Sequence, residues 1–516
     1  RRRVGSLLTS STSLAEVPQQ HRPAHMARSS RSHALLAKHK GTDPAHHGEA
    51  MARDSVAWTA SERKELRNHA DNESFEPIRR RDIPGPKRRL VRLTWVYKTK
   101  RDGTHKARLC VQGCSQVKGV DFDQTFCAAM RPTSLRFLTA LAAANGYLMR
   151  RWDFVAAYLQ GSLEEDEIIY CSGPPGHESL DDEGKPYAYK VKKPVYGMAQ
   201  AGRRWQRKLF PSLVALGFMQ FGSDPCLFRK VATIDGVAQT VFVGVYVDDL
   251  CIVYSHDGPD SLYQAVTSQL EAEYDVEDEG PIADLLGIEF DTSIDGQITL
   301  HQKSYIESLV VSHGTGRGDQ MKRAAVAQPT RSGLAQMVRD AIAAKDEPDY
   351  VADENVIRSY QSIVGAILYC STNTRPDIAY PVNLLCRCMA YPSTDLIVSA
   401  QHVLRYLEDT ADIGLTYCRT TAPIAGSSDA DWVTSTESTL GWMYQFQNAA
   451  VSWSSKKQKT VSNGACEASI MAASGASGQR AAVLPPRSPR RQPGQFLYES
   501  THQPTLPLSA SADHEH

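Results

Sequence analysis

The sequence lacks the cysteine and histidine patterns of zinc-binding or disulfide-stapled domains. Its 11 cysteines include no Cys-x-x-Cys pair, and no set of Cys and His residues has the spacing of a structural zinc site. Cysteines scattered in this way are typical of reduced, buried thiols. The pattern argues against a small secreted disulfide scaffold, and we expect an intracellular protein.

Long apolar runs are also missing. No run reaches the roughly 18 apolar residues that a membrane-spanning helix requires, and the first residues lack the apolar core of a signal peptide. We therefore expect no membrane-spanning segment. Because the chain begins with Arg rather than Met, we expect it to be a piece of a longer product.

The chain has no net charge, since 58 Lys and Arg residues balance 58 Asp and Glu residues, but the charge is unevenly spread. Residues 79–108 carry twelve Lys or Arg and two Asp, whereas residues 271–280 are strongly acidic. A basic segment of this kind binds a polyanion or forms a solvated face without a partner. Composition alone leaves both interpretations open.

Turn residues and apolar periodicity predict a mixture of strands and helices. Asp102-Gly103 lies between two strand-like runs and predicts a β-hairpin over 93–113. Residues 132–148 and 202–218 have helical apolar spacing, and residues 149–161 read as a strand. This mixture predicts a mixed α/β or α+β domain up to about residue 290. Further along the chain, the run "TDLIVSAQHVLRYLEDT" predicts another helix.

The stretch "VFVGVYVDDLCIVYS" (241–255) places Asp248 and Asp249 inside an otherwise apolar and aromatic run. The flanking residues predict two strands with the acids at the bend between them. Two adjacent carboxylates repel each other and are costly to desolvate, so they require a counter-charge. An ordinary Asp-Asp turn between strands is the alternative.

A third acid stands in a similar setting. Asp153 lies in an otherwise aromatic and aliphatic strand-like run, upstream of Asp248. If the two strands are neighbours, the three carboxylates form a cage of hard oxygen ligands, which suits Mg²⁺. Two ions held in such a cage can support an in-line phosphoryl displacement. The sequence therefore indicates two-metal chemistry on a phosphate substrate.

Several ordered stretches resemble the polymerase region of copia-type retrotransposon polyproteins. The "YVDD" motif at 246–249 is similar to the signature of reverse transcriptases. Six further stretches occur in the family's order over about residues 58–472: "WVYKTKRDGTHKARLCVQGCSQVKGVDFDQTF" (95–126), "DFVAAYLQGSLEEDEIIY" (153–170), "KPVYGMAQAGRRW" (193–205), "LLGIEF" (285–290), "GAILYCSTNTRPDIAY" (365–380) and "VLRYLEDTADIGLTY" (403–417).

The resemblance implies an α+β fold: a right-hand polymerase with fingers, palm and thumb, followed by a truncated ribonuclease H-like α/β segment. The boundaries that we expect are a disordered basic tail (1–55), fingers and palm (56–295), a thumb or connection (296–420), a partial ribonuclease H-like segment (421–475) and a Pro-rich, disordered tail (476–516).

The resemblance also implies roles for matching residues. Asp153, Asp248 and Asp249 would be the catalytic carboxylates and the ligands of two Mg²⁺ ions, with Mn²⁺ as an alternative. Asp153 and Asp248 would bind both ions.

A second set of matching residues would bind the incoming deoxynucleoside triphosphate (dNTP): Lys106, Arg108, Tyr158, Gly197 and Gln200. Tyr158 falls where the family places the aromatic ring that excludes a 2′-hydroxyl. The two cations lie in the predicted hairpin, where they can grip a triphosphate. The family commonly has Lys where this chain has Ala199, so one basic contact is lost.

Residues 424–473 resemble the start of the family's ribonuclease H domain. Asp429 matches the first acid of that second two-metal site. The next catalytic glutamate normally lies two residues after the one that Glu467 matches, and Ser469 stands there instead. No block resembling the later Asp follows. We therefore expect no ribonuclease H activity from a lone Asp429.

The function that we expect is RNA-directed DNA polymerisation by two-metal nucleotidyl transfer from a dNTP to a primer 3′-hydroxyl. The partners would be an RNA template, a DNA primer, the RNA–DNA hybrid and dNTPs, in a cytoplasmic particle or the nucleus, without a membrane; the oligomeric state is left open. One alternative is a decayed remnant that at most binds nucleic acid, which Ala199 and Ser469 favour. Another, a nuclease or other two-metal phosphotransferase, explains three acids but not Tyr158 or the basic hairpin.

Overall fold

The computed structural model describes residues 43–85, 89–100, 103–313, 327–348, 350–351, 353–430 and 438–458. Residues 1–42 of the predicted basic tail, Glu467, Ser469 and the Pro-rich tail lie outside this part of the chain. The described residues form helices and antiparallel sheets, which agrees with a mixed α and β class. Among the described helices, none has the length and apolar character needed to cross a membrane.

The first region packs a helical segment, kinked at Asp54, on a β-hairpin. Its elements are α1 (His47–Asp71), β1 (Phe75–Ile78), β2 (Leu93–Thr99) and β3 (His105–Val111). Strands β2 and β3 pair antiparallel, which confirms the predicted hairpin, although Asp102 of its turn lies outside the described residues. Helix α1 begins inside the segment 1–55 that composition predicts to be disordered, because Ala50 and Trp58 are buried in a core that includes the hairpin.

The next elements build the middle of the molecule: α2 (Pro132–Asn145), β4 (Leu148–Phe154), β5 (Tyr170–Cys171), β6 (Ala188–Val191), α3 (Ala201–Ala215), β7 (Met219–Gln220), β8 (Leu227–Ile234), β9 (Val237–Tyr246), β10 (Asp249–Tyr254), α4 (Leu262–Glu273) and β11 (Val276–Pro281). Six of these strands form what we call the central sheet, in the order β11-β4-β10-β9-β8-β7. Strands β5 and β6 join β1 in a small separate sheet.

Apolar patterning explains why the central sheet forms. Every residue of β10 is buried, which accounts for its near-continuous apolar run. Helices α2, α3 and α4 contribute side chains to the same core as the sheet. The predicted helices at 132–148 and 202–218 are confirmed as α2 and α3, and α2 stops at Gly146, whose φ of 67° is the left-handed conformation that favours glycine.

The predicted strand over 149–161 is right only in its first half. Strand β4 ends at Phe154, Ala156 takes a positive φ of 49°, and a 3₁₀ turn covers Ala157–Gln160. The side-chain amide of Gln160 donates to the carbonyl oxygens of Val155 (2.8 Å) and Asp275 (2.9 Å) and so holds the chain in this turn. A long-range contact to Asp275 overrides the local strand pattern.

The remaining elements form a helical region and two sheets: β12 (Asp284–Leu285), β13 (Ile288–Asp291), β14 (Gln297–His301), α5 (Lys303–His313), α6 (Leu334–Ala344), α7 (Glu354–Asn373), α8 (Ala379–Cys386), α9 (Thr394–Asp409), β15 (Leu415–Cys418), β16 (Ala425–Ala430), β17 (Thr439–Phe446) and β18 (Ala449–Lys457). Helices α5 to α9 share their own core, and α9 confirms the predicted helix "TDLIVSAQHVLRYLEDT". We call β16-β17-β18 the C-terminal sheet.

One buried arginine joins these regions. The Arg136 side chain of α2 donates from Nε to the carbonyl oxygen of Val451 and from Nη1 to those of Thr372 and Asn373, each at 2.8 Å. Its guanidinium carbon also lies 4.0 Å from the ring centroid of Trp453. Because these acceptors belong to α7 and β18, Arg136 fixes both the helical region and the C-terminal sheet on α2.

Candidate active site

Strands β4 and β10 bring the three predicted acids together. They pair antiparallel with Asp249 opposite Asp153. Residues directly opposite each other share a face of the sheet, so these two carboxyl groups lie on the same face. Asp248 occupies the adjoining turn, and its carbonyl oxygen accepts from the Phe154 amide at 3.0 Å. The predicted adjacency of the two strands is therefore confirmed.

The turn between β9 and β10 is strained. Val247 has a φ of 61°, which a β-branched residue rarely adopts. The indole Nε1 of Trp205, on α3, donates to the Val247 carbonyl oxygen at 2.7 Å. Since strained backbone persists where the surroundings fix it, α3 helps to set the position of Asp248.

The counter-charge for the buried acids is Arg151, a residue that sequence reasoning missed. Its Nη2 and Nε donate to Oδ1 of Asp249 at 2.7 and 3.0 Å, and its Nη1 lies 3.3 Å from Oδ1 of Asp284. Arg151 is only 3% exposed and Asp249 only 7% exposed. Residues two apart in a strand share a face of the sheet, so Arg151 lies on the same face as Asp153. This alternation is the sequence feature that could have pointed to Arg151 as the counter-charge.

Burial and neighbouring negative charges raise the pKa values of Asp153 and Asp249. Burial raises the pKa of Asp153 to about 7, and the negative charges of Asp248 and Asp249 add to this effect. Burial also raises the pKa of Asp249 to about 6, although Arg151 opposes it. A raised pKa of this origin means that the ionised form of Asp153 is poorly compensated by protein groups, which is an environment that favours a bound cation.

Two of the three carboxylates, those of Asp153 and Asp248, suit a hard divalent ion. Carboxylate oxygens are the ligands that Mg²⁺ prefers, and Asp153 and Asp248 remain partly exposed. In the described part of the chain, no three His, Cys, Asp or Glu side chains meet in an arrangement that could hold a metal ion. Hydrogen bonds from Arg151 engage the Asp249 carboxylate. Asp153 and Asp248 therefore fit an ion better than Asp249 does.

Tyr158 lies in the 3₁₀ turn that follows β4. Its ring is half-buried, and the ring centroid lies 5.0 Å from that of Tyr196. Burial raises the pKa of Tyr158 to about 12, with Asp248 adding to the effect, so the ring lies within the field of the acids. The turn that overrides the strand prediction is thus what brings Tyr158 towards the carboxylates.

Lys106 and Arg108 lie on β3 of the hairpin and are both half-buried. Alternation along the strand places them on the face opposite Ala107 and Leu109, which belong to the core. The guanidinium carbon of Arg108 lies 5.1 Å from the ring centroid of Tyr196. The structure therefore connects the predicted cation Arg108 to Tyr158 through Tyr196.

Gly197 and Gln200 lie where the loop before α3 meets the hairpin. Gly197 has a φ of 84°, and a Cβ there would collide with the carbonyl oxygen of Val111. Gln200 is fully buried, with its amide group bonded to Gln116 (3.1 Å) and to the carbonyl oxygen of Asp121 (3.1 Å). Gly197 brings this loop close to the hairpin, and Gln200 ties the start of α3 to the loop that follows β3. The contact of both residues with a nucleotide stays a prediction.

Asp429 lies apart from these acids, on the C-terminal sheet. It is exposed, stands opposite Gly441 in β17, and accepts a hydrogen bond from the amide of Ala430. The other residues matched to the ribonuclease H acids, Glu467 and Ser469, lie outside the described residues.

Comparison with known proteins shows the family of the chain. The family model described as reverse transcriptase (RNA-dependent DNA polymerase) matches residues 81–321, a range that contains all three acids. A retrovirus-related Pol polyprotein from transposon TNT 1-94 of Nicotiana tabacum is 31% identical over 403 residues, which cover 76% of this chain and 29% of that protein. The corresponding polyprotein from transposon RE2 of Arabidopsis thaliana is 29% identical over 421 residues, or 80% of this chain and 27% of that protein.

A putative transposon Ty5-1 protein of Saccharomyces cerevisiae is 30% identical over 316 residues, which are 60% of this chain and 93% of that protein. The chain therefore belongs to the reverse transcriptase family, in the copia-type Pol branch of retrotransposon proteins. It spans less than a third of the length of the two plant polyproteins.

Proposed function

We propose that the chain polymerises DNA on an RNA template by transferring nucleotides from dNTPs to a primer 3′-hydroxyl. The observation that carries this proposal is the register of β4 and β10, which sets Asp153 opposite Asp249 with Asp248 in the adjoining turn. Family membership supports the same reaction class. The substrates and partners of the whole polyprotein are part of the proposal.

In this proposal the regions of the fold take the parts of a right-hand polymerase. The hairpin β2-β3 with α1 serves as fingers, the central sheet as palm, and the helical region as thumb or connection. The C-terminal sheet is the start of a ribonuclease H-like segment. The basic strands of the hairpin support this assignment, since cations beside a polymerase site contact phosphate backbones.

The side chains have separate roles in the reaction. Asp153 and Asp248 would hold the divalent ions, while Arg151 keeps the Asp249 carboxylate in place beside them. When bound, Mg²⁺ would lower the pKa of the primer hydroxyl and stabilise charge on the leaving pyrophosphate. Lys106 and Arg108 would bind the triphosphate, and the Tyr158 ring would exclude a 2′-hydroxyl. Gly197 and Gln200 would shape the nucleotide side of the site.

We also propose that the C-terminal sheet contributes no ribonuclease H catalysis. Asp429 is exposed and has no second acid opposite it in the sheet, since Gly441 is its partner. The Ser469 that replaces the expected glutamate supports this from the sequence. A two-metal site needs clustered carboxylates, and in the described part of the C-terminal sheet the residue opposite Asp429 is a glycine.

The second candidate is a remnant that binds nucleic acid without catalysis. Two observations favour it: Ala199 stands where a Lys is common, and Asp249 is engaged by Arg151 rather than left open to an ion. This candidate keeps the basic hairpin and the fold but loses the reaction.

The test is Mg²⁺-dependent extension of a DNA primer on an RNA template by the purified chain, with Asp248→Asn as the matched variant. We expect extension by the parent chain alone, and similar hybrid binding by both. An equal rate from Asp248→Asn would contradict the role of the acids. A folded parent chain that binds the hybrid without extending the primer would establish the remnant instead.

A further inference from the structure

Tyr196 occupies a position between two predicted nucleotide-binding side chains. It lies in the loop between β6 and α3, just before Gly197. Its ring centroid is 5.0 Å from that of Tyr158, at an interplanar angle of 57°. On its other side the Arg108 guanidinium carbon is 5.1 Å from the ring centroid. Both distances fall in the range of attractive aromatic and cation–π contacts.

The backbone around Tyr196 is fixed to the hairpin. The Tyr196 carbonyl oxygen accepts from the Val111 amide at 2.8 Å. A Cβ on Gly113 would collide with the Gly197 carbonyl oxygen, and a Cβ on Gly197 would collide with that of Val111, so the two segments approach as closely as glycine allows. The ring is therefore presented from a rigid junction between the hairpin and α3.

Tyr196 and Tyr158 are influenced by two of the same charged groups. Burial raises the pKa of both rings, Asp248 adds to this effect, and Arg108 opposes it. By contrast, the ring of Tyr158 is attached to a short 3₁₀ turn, and in the described contacts Tyr196 is the aromatic side chain paired with it.

We propose that Tyr196 is a positioning residue for sugar selectivity: its ring supports Tyr158 and orients Arg108, so that the 2′-position and the triphosphate of one nucleotide are fixed relative to each other. The proposal rests on the proposed polymerase function and extends it to the choice of deoxynucleotide. Tyr196 acts through its two neighbours and needs no contact with the nucleotide.

The experiment compares Tyr196→Met with Tyr196→Phe in the primer-extension assay. Met fills an irregular gap without supplying a ring face, whereas Phe keeps the ring and removes only the hydroxyl. The quantity measured is kcat/KM for a dNTP divided by kcat/KM for the matching ribonucleotide. We expect Tyr196→Met to lower this ratio about two- to tenfold, the range that one aromatic pair is worth, and to raise KM for the dNTP. Tyr196→Phe should keep the ratio of the parent chain.

A double-variant cycle distinguishes an effect of Tyr196 through Tyr158 from a nonspecific structural effect of the substitution on the site. If Tyr196 acts through Tyr158, adding Tyr196→Met to Tyr158→Val lowers the ratio no further. Two outcomes would overturn the proposal, provided that the parent chain extends the primer. One is a double variant whose ratio falls by the product of the two single-variant changes, and the other is an unchanged ratio in Tyr196→Met. A parent chain without extension would instead overturn the proposed function. If Tyr196→Met does not fold, Tyr196→Leu is put through the same cycle, and the same outcomes decide.

Discussion

The central sheet and the C-terminal sheet are both antiparallel, and both carry aspartates near strand ends, but they surround those aspartates differently. In the central sheet, Asp153 and Asp249 stand opposite each other, and the buried Arg151 accompanies them. In the C-terminal sheet, Asp429 stands opposite a glycine and is exposed. Matching one acid to a family motif is therefore weak evidence, whereas cross-strand register between acids shows whether a site can assemble.

The two sheets share one hydrophobic core. The central sheet contributes to it together with α2, α3 and α4, and Tyr444, Ala449, Ala450 and Val451 of the C-terminal sheet belong to the same core. The C-terminal sheet contacts α2 through Arg136, whose Nε binds the Val451 carbonyl oxygen, and through the stacking of Phe446 on Phe137. The C-terminal sheet is thus built into the fold, even though Asp429 stands opposite a glycine in it.

The largest effect on primer extension should come from removing a carboxylate of the central sheet. Asp153→Asn removes a carboxylate proposed to hold metal, so primer extension should fall about a hundredfold or more, because a metal-bound transition state is stabilised by several kcal/mol. Asp429→Asn makes the same chemical change in the C-terminal sheet and should leave the extension rate unchanged. Equal losses in both variants would break the comparison.

The next effect concerns the choice of sugar. Tyr158→Val removes the ring proposed to exclude a 2′-hydroxyl, so ribonucleotide incorporation relative to dNTP incorporation should rise about tenfold or more. Single-nucleotide incorporation with matched dNTP and ribonucleotide measures the ratio. No change in the ratio would remove the steric role of Tyr158 and leave it as a packing residue.

A smaller effect is expected on stability at the contact between α2 and the C-terminal sheet. Arg136→Met removes the donor to three carbonyl oxygens, two of them in buried hydrogen bonds, so the chain should lose about 2 to 4 kcal/mol of stability. Urea unfolding followed by tryptophan fluorescence measures it. Arg358→Met is the control, because Arg358 forms only an exposed pair with Glu354, and its midpoint should stay at the parent value. Similar midpoints for the two variants would show that Arg136 does not fix the C-terminal sheet.

The smallest effect lies at the junction of β13, β14 and α5. Burial acts to raise the pKa of Glu289, but hydrogen bonds from His301 and Ser304 outweigh it and lower the pKa to about 2 from 4.5. The same contact raises the pKa of His301 above 6.5. The contribution of ionised Glu289 to folding stability is present above pH 4.5 and is lost as pH falls towards 2. The contribution of protonated His301 to folding stability is present below pH 6.5 and is lost as pH rises through the pKa of His301 in the folded chain.

Both contributions overlap between pH 4.5 and 6.5. Thermal unfolding of Glu289→Gln should therefore show its largest deficit against the parent in this window, of about 2 °C or less. Glu354→Gln makes the same change in an exposed pair and should show no such window. A deficit that is independent of pH would contradict the ionic origin of the effect.

Local patterns in the sequence were enough for many of the elements. The hairpin β2-β3 and the helices α2, α3 and α9 follow from turn residues, caps and apolar spacing. These features depend on residues close together in the chain or on strand alternation, which a sequence displays directly.

Features that depend on distant residues were missed or misjudged. The turn at Ala157–Gln160 is held by Asp275, and Arg151 became a counter-charge only when β4 met β10. The hydrogen bonds of the Gln200 amide to Gln116 and to the Asp121 carbonyl oxygen also join residues far apart in the chain. In each case the deciding partner is far along the chain, so no local window contains the information.

The most direct test of the account measures two reactions on one RNA–DNA hybrid, primer extension and cleavage of the RNA strand, in the parent chain, Asp248→Asn and Asp429→Asn. The account predicts Mg²⁺-dependent extension that Asp248→Asn abolishes and Asp429→Asn retains, with no cleavage of the RNA by any of the three. RNA cleavage that survives Asp248→Asn and disappears in Asp429→Asn, or extension that survives Asp248→Asn, would contradict it.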